Sequence, residues 1–379
     1  MSAPTETGTT AEPRTGRAPK AAPGKRIVRA LGTGIPVYVL LAVLLLALLI
    51  TDPGFYEPDS FLSFVKRAAP LVILAAGQYL VIVCGEFDLS VGAIVTAGVV
   101  VAAELYGSFP DAHWLVVTAV LLVAGGLAGL VSGLITTVLR VPSFITTLGM
   151  MLILEGAVFF WTGGSPQGVL PTAFRQLGRG TAFGWLPWAV VACLVAGTVA
   201  VLVTRSDFGR TLVATGDSDR AAALSGVRVI RVRTVAFILS GAAAALAAVL
   251  VGGFSGVSAQ AGRGYEFEAI TAVVLGGVVL GGGRGSVVAA MAGAFSLQAL
   301  FTLLNLQGVP GALESTVQGV IVIAAVGLGA ADWSRLRNRR TPSGGGPPGA
   351  GPPGPATPGP TPPRPTPPTG THPSGGTPS

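Results

Sequence analysis

The stretch VCGEFDLSVG, Val83 to Gly92, sets two carboxylates two residues apart directly after an apolar run. A carboxylate at the centre of a bilayer costs roughly 2.5–3.5 kcal/mol, so Glu86 and Asp88 call for a chemical reason. Three are open: an ion or proton relay, a contact to a solute, or the closing of free backbone where a helix breaks. Asp88 with Ser90 has the pattern of an N-cap pair for a helix starting near Val91, because short side-chain oxygens accept hydrogen bonds from first-turn amides. Capping is the preferred reading, with direct solute contact as its alternative. Glu155, inside a later apolar run, reads as a helix-packing contact before a proton relay. The remaining chemistry is sparse. His113 and His372 belong to no H-E-x-x-H pattern, and no nucleophile elbow is present. Cys84 and Cys193 lie far apart, which suggests neither a metal cluster nor a disulfide framework. Only Lys20, Lys25 and Lys66 could serve a phosphate loop, and none follows G-x-x-x-x-G-K-[ST]. The glycine-rich run Gly276 to Ser286 lacks that lysine and reads as close packing with a sharp turn. An enzyme is therefore not expected.

The elements that must position these residues are membrane helices. Half of the 379 residues are hydrophobic and 11% charged, with mean hydropathy +0.69, a composition too apolar for a soluble domain. The expected fold is all-α and polytopic, with about ten transmembrane helices near 35–50, 68–84, 91–107, 113–138, 143–160, 188–204, 232–253, 268–281, 287–304 and 315–331. The segments around 85–92 and 268–286 are short and glycine-interrupted, which points to broken or re-entrant helices. The domain reading is a polar N-terminal segment over 1–34, a membrane domain over 35–331, and a tail over 332–379. The tail is basic at first and then rich in Pro, Gly, Thr and Ser, a composition expected to stay disordered. The first apolar run lacks a cleavage pattern and is expected to remain as a span. Of the 24 Lys and Arg, all but Lys66, Arg67, Arg175, Arg179 and Arg263 fall on the N-terminal side of such a layout. The charge bias therefore favours two cytoplasmic termini. The net charge of +7 reads as that bias, not as a nucleic-acid surface.

The longest internal polar segment is 205–233, RSDFGRTLVATGDSDRAAALSGVRVIRVR. A short helix from Ser218 to Leu224, capped by Asp217 or Ser218 and stopped by Gly226, fits it. Either it is a docking surface for another protein, or it is a solvated connector whose arginines fix topology.

Four stretches taken in order, GEFDLSVGAIVTAGVVVAAEL, VPSFITTLGMMLILEGAVFFWTGG, FGRTLVATGDSDRAAALSGVRV and GYEFEAITAVVLGGVVLGGGRGSVVAAMAGA, resemble permeases of bacterial ATP-binding-cassette importers for ribose, xylose and related sugars. This group sits in the branched-chain amino-acid permease superfamily. The resemblance covers roughly residues 35–331. It implies a multi-pass protein of the bacterial cell membrane, working as a homodimer or heterodimer. Solute would come from an external binding protein, and the drive from ATPase subunits that bind the ATP, with no cofactor on this chain. It implies that the segment containing Gly209, Arg210, Gly216, Arg220, Ala221, Ala222 and Gly226 docks the ATPase, although Arg220 stands where the family has Glu. A sugar path needs uncharged polar groups that replace water without holding the solute too firmly. Gln78, Asp88, Ser90, Ser143, Thr146, Thr147, Gln298 and Asn305 are its candidates. Branched-chain amino acids or nucleosides remain alternative solutes, and an ion-coupled secondary transporter using Glu155 and Asp88 is an alternative mechanism.

Overall fold

Each of the ten apolar runs lies wholly or in part on a helix, and the helices gain definition where polar residues or glycines end them. In the computed structural model, which describes residues 35–165, 168–182 and 184–330, the order is α1 (Ile35–Thr51), α2 (Pro58–Val83), α3 (Val91–Ser108), α4 (Trp114–Val138), α5 (Ser143–Thr162), α6 (Thr172–Arg179), α7 (Trp188–Arg205), α8 (Asp207–Asp217), α9 (Asp219–Leu224), α10 (Val229–Ser255), α11 (Tyr265–Leu275), α12 (Val287–Leu306) and α13 (Ala312–Ala330). A two-stranded antiparallel hairpin, β1 (Thr181–Ala182) with β2 (Leu186–Pro187), joins α6 to α7. The expectations for residues 1–34 and for the tail lie outside the described residues. Among the described residues seven helices are long and apolar enough to cross a membrane: α2, α3, α4, α5, α7, α10 and α12.

Two boundaries differ from the sequence expectation. α2 begins at Pro58, ten residues before the predicted apolar run, because a proline at the first helical position and Asp59 in the first turn favour a helix start there. α11 stops at Leu275, short of the expected 281, because Gly276 and Gly277 turn the chain and Gly277, Gly282 and Gly283 all carry positive φ. At 11 residues α11 is about 16 Å long, half of a roughly 30 Å hydrocarbon core.

α10 is the central post, and its packing depends on small residues. Against it α4 presents Gly125, Gly129 and Gly133. A Cβ on Gly129 would fall 2.1 Å from the Phe237 carbonyl oxygen, and one on Gly241 would fall 2.1 Å from the Gly125 carbonyl oxygen. Backbone meets backbone there, as in close membrane-helix pairs generally. The opposite stripe of α4, Val116, Val120, Val123, Leu127, Val131, Leu134 and Val138, is exposed, and its three- and four-residue spacing defines one apolar face suited to lipid.

The basic segments sort to two ends of this bundle. At one end Arg140 and Arg233 line a single cleft with Glu86 and Asp219, and Gly216 packs on Gly282 and Gly283. At the other, Lys66 Nζ donates to the Arg179 carbonyl at 3.0 Å, while Arg179 Nε donates to the Phe254 carbonyl at 2.7 Å.

Candidate functional site

Between α2 and α3 the chain is non-helical for seven residues, Cys84 to Ser90, of which Cys84 and Asp88–Ser90 are buried and Gly85–Phe87 half-buried. Free amides and carbonyls in such a place need partners, and the side chains around it supply them. Asp88 is fully buried. Its Oδ1 accepts from Ser90 N at 3.0 Å and from Ser90 Oγ at 2.6 Å. Its Oδ2 accepts from Ser240 Oγ of α10 at 2.8 Å. Asp88 thus closes the turn before α3, as the capping reading asked, but the amide it takes is that of Ser90, and it is also bolted to a second helix. The hydroxyl of Ser90 is spent on Asp88 and bonds no amide of the first turn of α3.

Phe87, between the two acids, is held from α5. Its N–H donates to Ser143 Oγ at 3.1 Å, and its carbonyl lies 3.4 Å from Thr147 Oγ1, a hydroxyl that donates more closely, at 2.8 Å, to the Ser143 carbonyl of its own helix. Two of the residues selected as solute contacts therefore brace the backbone. Gln78 and Thr146 differ: both are buried, and neither the Gln78 amide nor the Thr146 hydroxyl has a hydrogen-bond partner among the described residues. Gln298 is half-buried on α12. Asn305 is exposed at the end of that helix, where its Nδ2 donates to Glu314 Oε1 at 2.9 Å. Neither is linked by a hydrogen bond to the break.

The turn between α10 and α11 packs on the start of α3. Gly262 N donates to Thr96 Oγ1 at 2.9 Å, and Gly262 lies against Gly92 so closely that a Cβ would sit 2.1 Å from the Gly92 carbonyl oxygen. Glu266, buried in the first turn of α11, accepts from Gly264 N through Oε1 at 3.1 Å. This residue escaped the sequence reading, although GYEFEAI carries the same signal as GEFDLSVG, acids opening an apolar run. Ser240 carried no such signal, since its partner lies 152 residues away.

The polar segment after α7 forms two helices, where one was expected. Ser206 caps α8 by accepting from Gly209 N at 3.4 Å. Gly209 has no room for a side chain, since a Cβ would be 2.2 Å from the Thr204 carbonyl oxygen. Arg210 pairs with Asp207 on the exposed surface. Ser218 caps α9 by accepting from Ala221 N at 3.2 Å, and Gly226, at φ 85°, ends it with Val227 N donating to the Ala222 carbonyl at 3.0 Å. Of the small residues in RAAALSG, Ala221 is exposed and Ala222 is buried within this chain. Enlarging Ala222 would therefore strain the segment itself. What α9 offers outward is Arg220, Ala221 and Leu224, the last 85% exposed, a large apolar side chain on an otherwise polar face.

A family model described as branched-chain amino acid transport system / permease component matches residues 60–326. The chain belongs to this permease family. It is similar to the ribose import permease protein of Escherichia coli strain K12, 34% identical over 301 residues that cover 76% of this chain and 91% of that protein. The ribose import permease protein of Bacillus subtilis strain 168 is also 34% identical, over 76% of this chain and 89% of its own length. The autoinducer 2 import system permease protein of Escherichia coli O9:H4 strain HS is 34% identical over 76% of this chain and 85% of its own. No solved structure matches the chain. As a permease component, the chain is a multi-pass, all-α membrane protein, and its matched region contains both interrupted segments and the α8–α9 pair.

Proposed function

We propose that this permease is the membrane-spanning subunit of an ATP-binding-cassette importer and carries a monosaccharide of the ribose or xylose kind. The observation that carries the solute class is the similarity to ribose import permeases of two organisms across nearly their whole length. The site chemistry supports it. The uncharged amide of Gln78 in α2 and the hydroxyl of Thr146 in α5 are buried without partners among the described residues, and an unpaired buried polar group costs about 1–3 kcal/mol. A conformation that offers these groups to sugar hydroxyls recovers that cost. The equal identity to an autoinducer 2 import permease favours that solute as the second reading.

ATP is bound and hydrolysed on a separate subunit, which docks on α8 and α9, and solute arrives from an external binding protein on the opposite side. The permease works as a dimer in the bacterial cell membrane with both termini cytoplasmic. The gathering of Arg140, Arg233 and the α8–α9 pair at one end of the bundle, away from Lys66 and Arg179, supports that orientation. Uptake of labelled ribose, xylose and autoinducer 2 by the complex in vesicles tests the solute. Saturable, ATP-dependent uptake of a pentose is expected, and uptake of leucine alone would refute it.

Docking has its own test. Leu224→Asp puts a charge where an apolar anchor is expected to enter the ATPase, and burying an unpaired carboxylate there is strongly unfavourable. The ATPase should stop co-purifying while the permease itself stays at normal abundance, because Leu224 makes no buried contact of its own. Unchanged co-purification would remove α9 from the interface.

A further inference from the structure

The break and the docking segment are joined by one side chain. Arg233 stands in the second turn of α10, at the edge of a cleft lined also by Glu86, Arg140, Asp219 and Thr137. Its Nε lies 3.0 Å from Glu86 Oε1 and its Nη2 lies 3.7 Å from Asp219 Oδ2. The nearer contact is an ion pair without an aligned N–H···O bond. Glu86 belongs to the break and its side chain is 12% exposed. Asp219 is the first residue of α9 and is 59% exposed. The guanidinium is planar and always charged, so a single Arg can face two carboxylates at once.

Arg233 is also aligned with the other link between α10 and the break. Ser240, which donates to Asp88, follows Arg233 by seven residues, two helical turns, so both project from one face of α10. That face therefore holds the break at two points, Glu86 and Asp88, with the peptide of Phe87 between them pinned from α5 by Ser143 and Thr147. Asp219, Arg233 and Glu86 thus form a continuous run of side-chain contacts from α9 to the break. Arg140 lines the same cleft and carries the one positive φ, 56°, of a non-glycine residue among the described residues, so the neighbouring α4–α5 turn is held in a conformation that side chains rarely adopt.

Resting on the docking reading above, we infer that Arg233 is a positioning residue for energy coupling, transmitting movement of the docked α9 to the helix break. It touches neither solute nor nucleotide, so its loss should separate ATP turnover from transport without stopping turnover.

The test uses the full complex of permease, ATPase and binding protein in vesicles, with co-purification, ATP turnover and solute moved per ATP measured together. Arg233→Gln should retain the ATPase and its turnover but lower the solute moved per ATP about tenfold, within the roughly 5–150-fold span of coupling between two sites. Glu86→Gln should act in the same direction. The double variant should be no worse than Arg233→Gln alone, because removing Arg233 strands the Glu86 carboxylate and removing both does not. Arg233→Lys, which keeps the charge but not the fork, should recover part of the ratio. An unchanged ratio in Arg233→Gln, or losses that simply add in the double variant, would overturn the inference. If Arg233→Gln does not accumulate, Asp219→Asn and Glu86→Gln, singly and together, read the same ratio and decide the matter by the same criterion. Failure of the unmodified permease to hold the ATPase at all would instead refute the docking reading.

Discussion

Asp88→Ala is expected to abolish uptake. The substitution leaves Ser90 N, Ser90 Oγ and Ser240 Oγ facing a methyl group in a fully buried site, and each stranded donor costs about 1–3 kcal/mol. Even about 3 kcal/mol in total is a large share of the roughly 5–15 kcal/mol that keeps a domain folded, so the break should lose its shape and uptake should be lost even at matched membrane abundance. Asp88→Asn separates bracing from charge. The amide oxygen can keep both bonds from Ser90, and the Ser240 hydroxyl can turn from donor to acceptor toward the new amide nitrogen. Under the reading favoured here, Asp88→Asn keeps uptake within a few-fold of the parent. Complete loss in a well-folded Asp88→Asn protein would show that the charge itself takes part, and would revive ion-coupled transport.

Gly216→Ala should be nearly as damaging for a different reason. The added Cβ would lie 1.9 Å from the Val83 carbonyl oxygen and 2.5 Å from Gly283 N, two backbone atoms that are themselves hydrogen-bonded at 2.9 Å. No side chain can move aside, so either α8 shifts away or the bond between the two interrupted segments parts. Overfilling of this kind costs about 1–3 kcal/mol and occasionally more, and here it falls on the contact between the docking helices and the break. Loss of uptake, together with a lower thermal midpoint of the purified protein in detergent, is the expected result. Gly226→Ala provides the control. That glycine has φ 85° but nothing within 4 Å of an added Cβ, so only a conformational cost of roughly 1–2 kcal/mol applies, confined to the end of α9. Equal behaviour of the two variants would refute the packing argument.

The helices were readable because apolar runs bounded by charge and glycine need no partner to be recognised. α6 was not, since an eight-residue helix that caps the bundle has too little sequence to show a period. In sequence α8 reads as part of a polar loop, because Arg210, Asp207 and Asp217 mask its amphipathic face. At the site, composition located the break and its acids correctly, yet could not say what faces them. Ser143 and Thr147 look the same in sequence whether they hold a sugar or the Phe87 peptide. Only the fold, which brings α5 and α10 from far along the chain back to the break, distinguishes the two. Asn305 shows the converse: a polar residue in an apolar run whose position next to Glu314 depends on a turn that sequence does not place.

The glycine contact between α4 and α10 also sets a clock for assembly. About ninety residues separate the end of α4 at Val138 from the start of α10 at Val229, and at about 5–20 residues per second a ribosome needs roughly 5–18 s to make them. For that interval α4 is already in the membrane with Gly125, Gly129, Gly133 and the buried hydroxyls of Ser132 and Thr136 uncovered. The partner of that face has not yet been synthesised, so the newborn permease passes through a stage in which its most closely packed seam is open to lipid and to quality-control proteases.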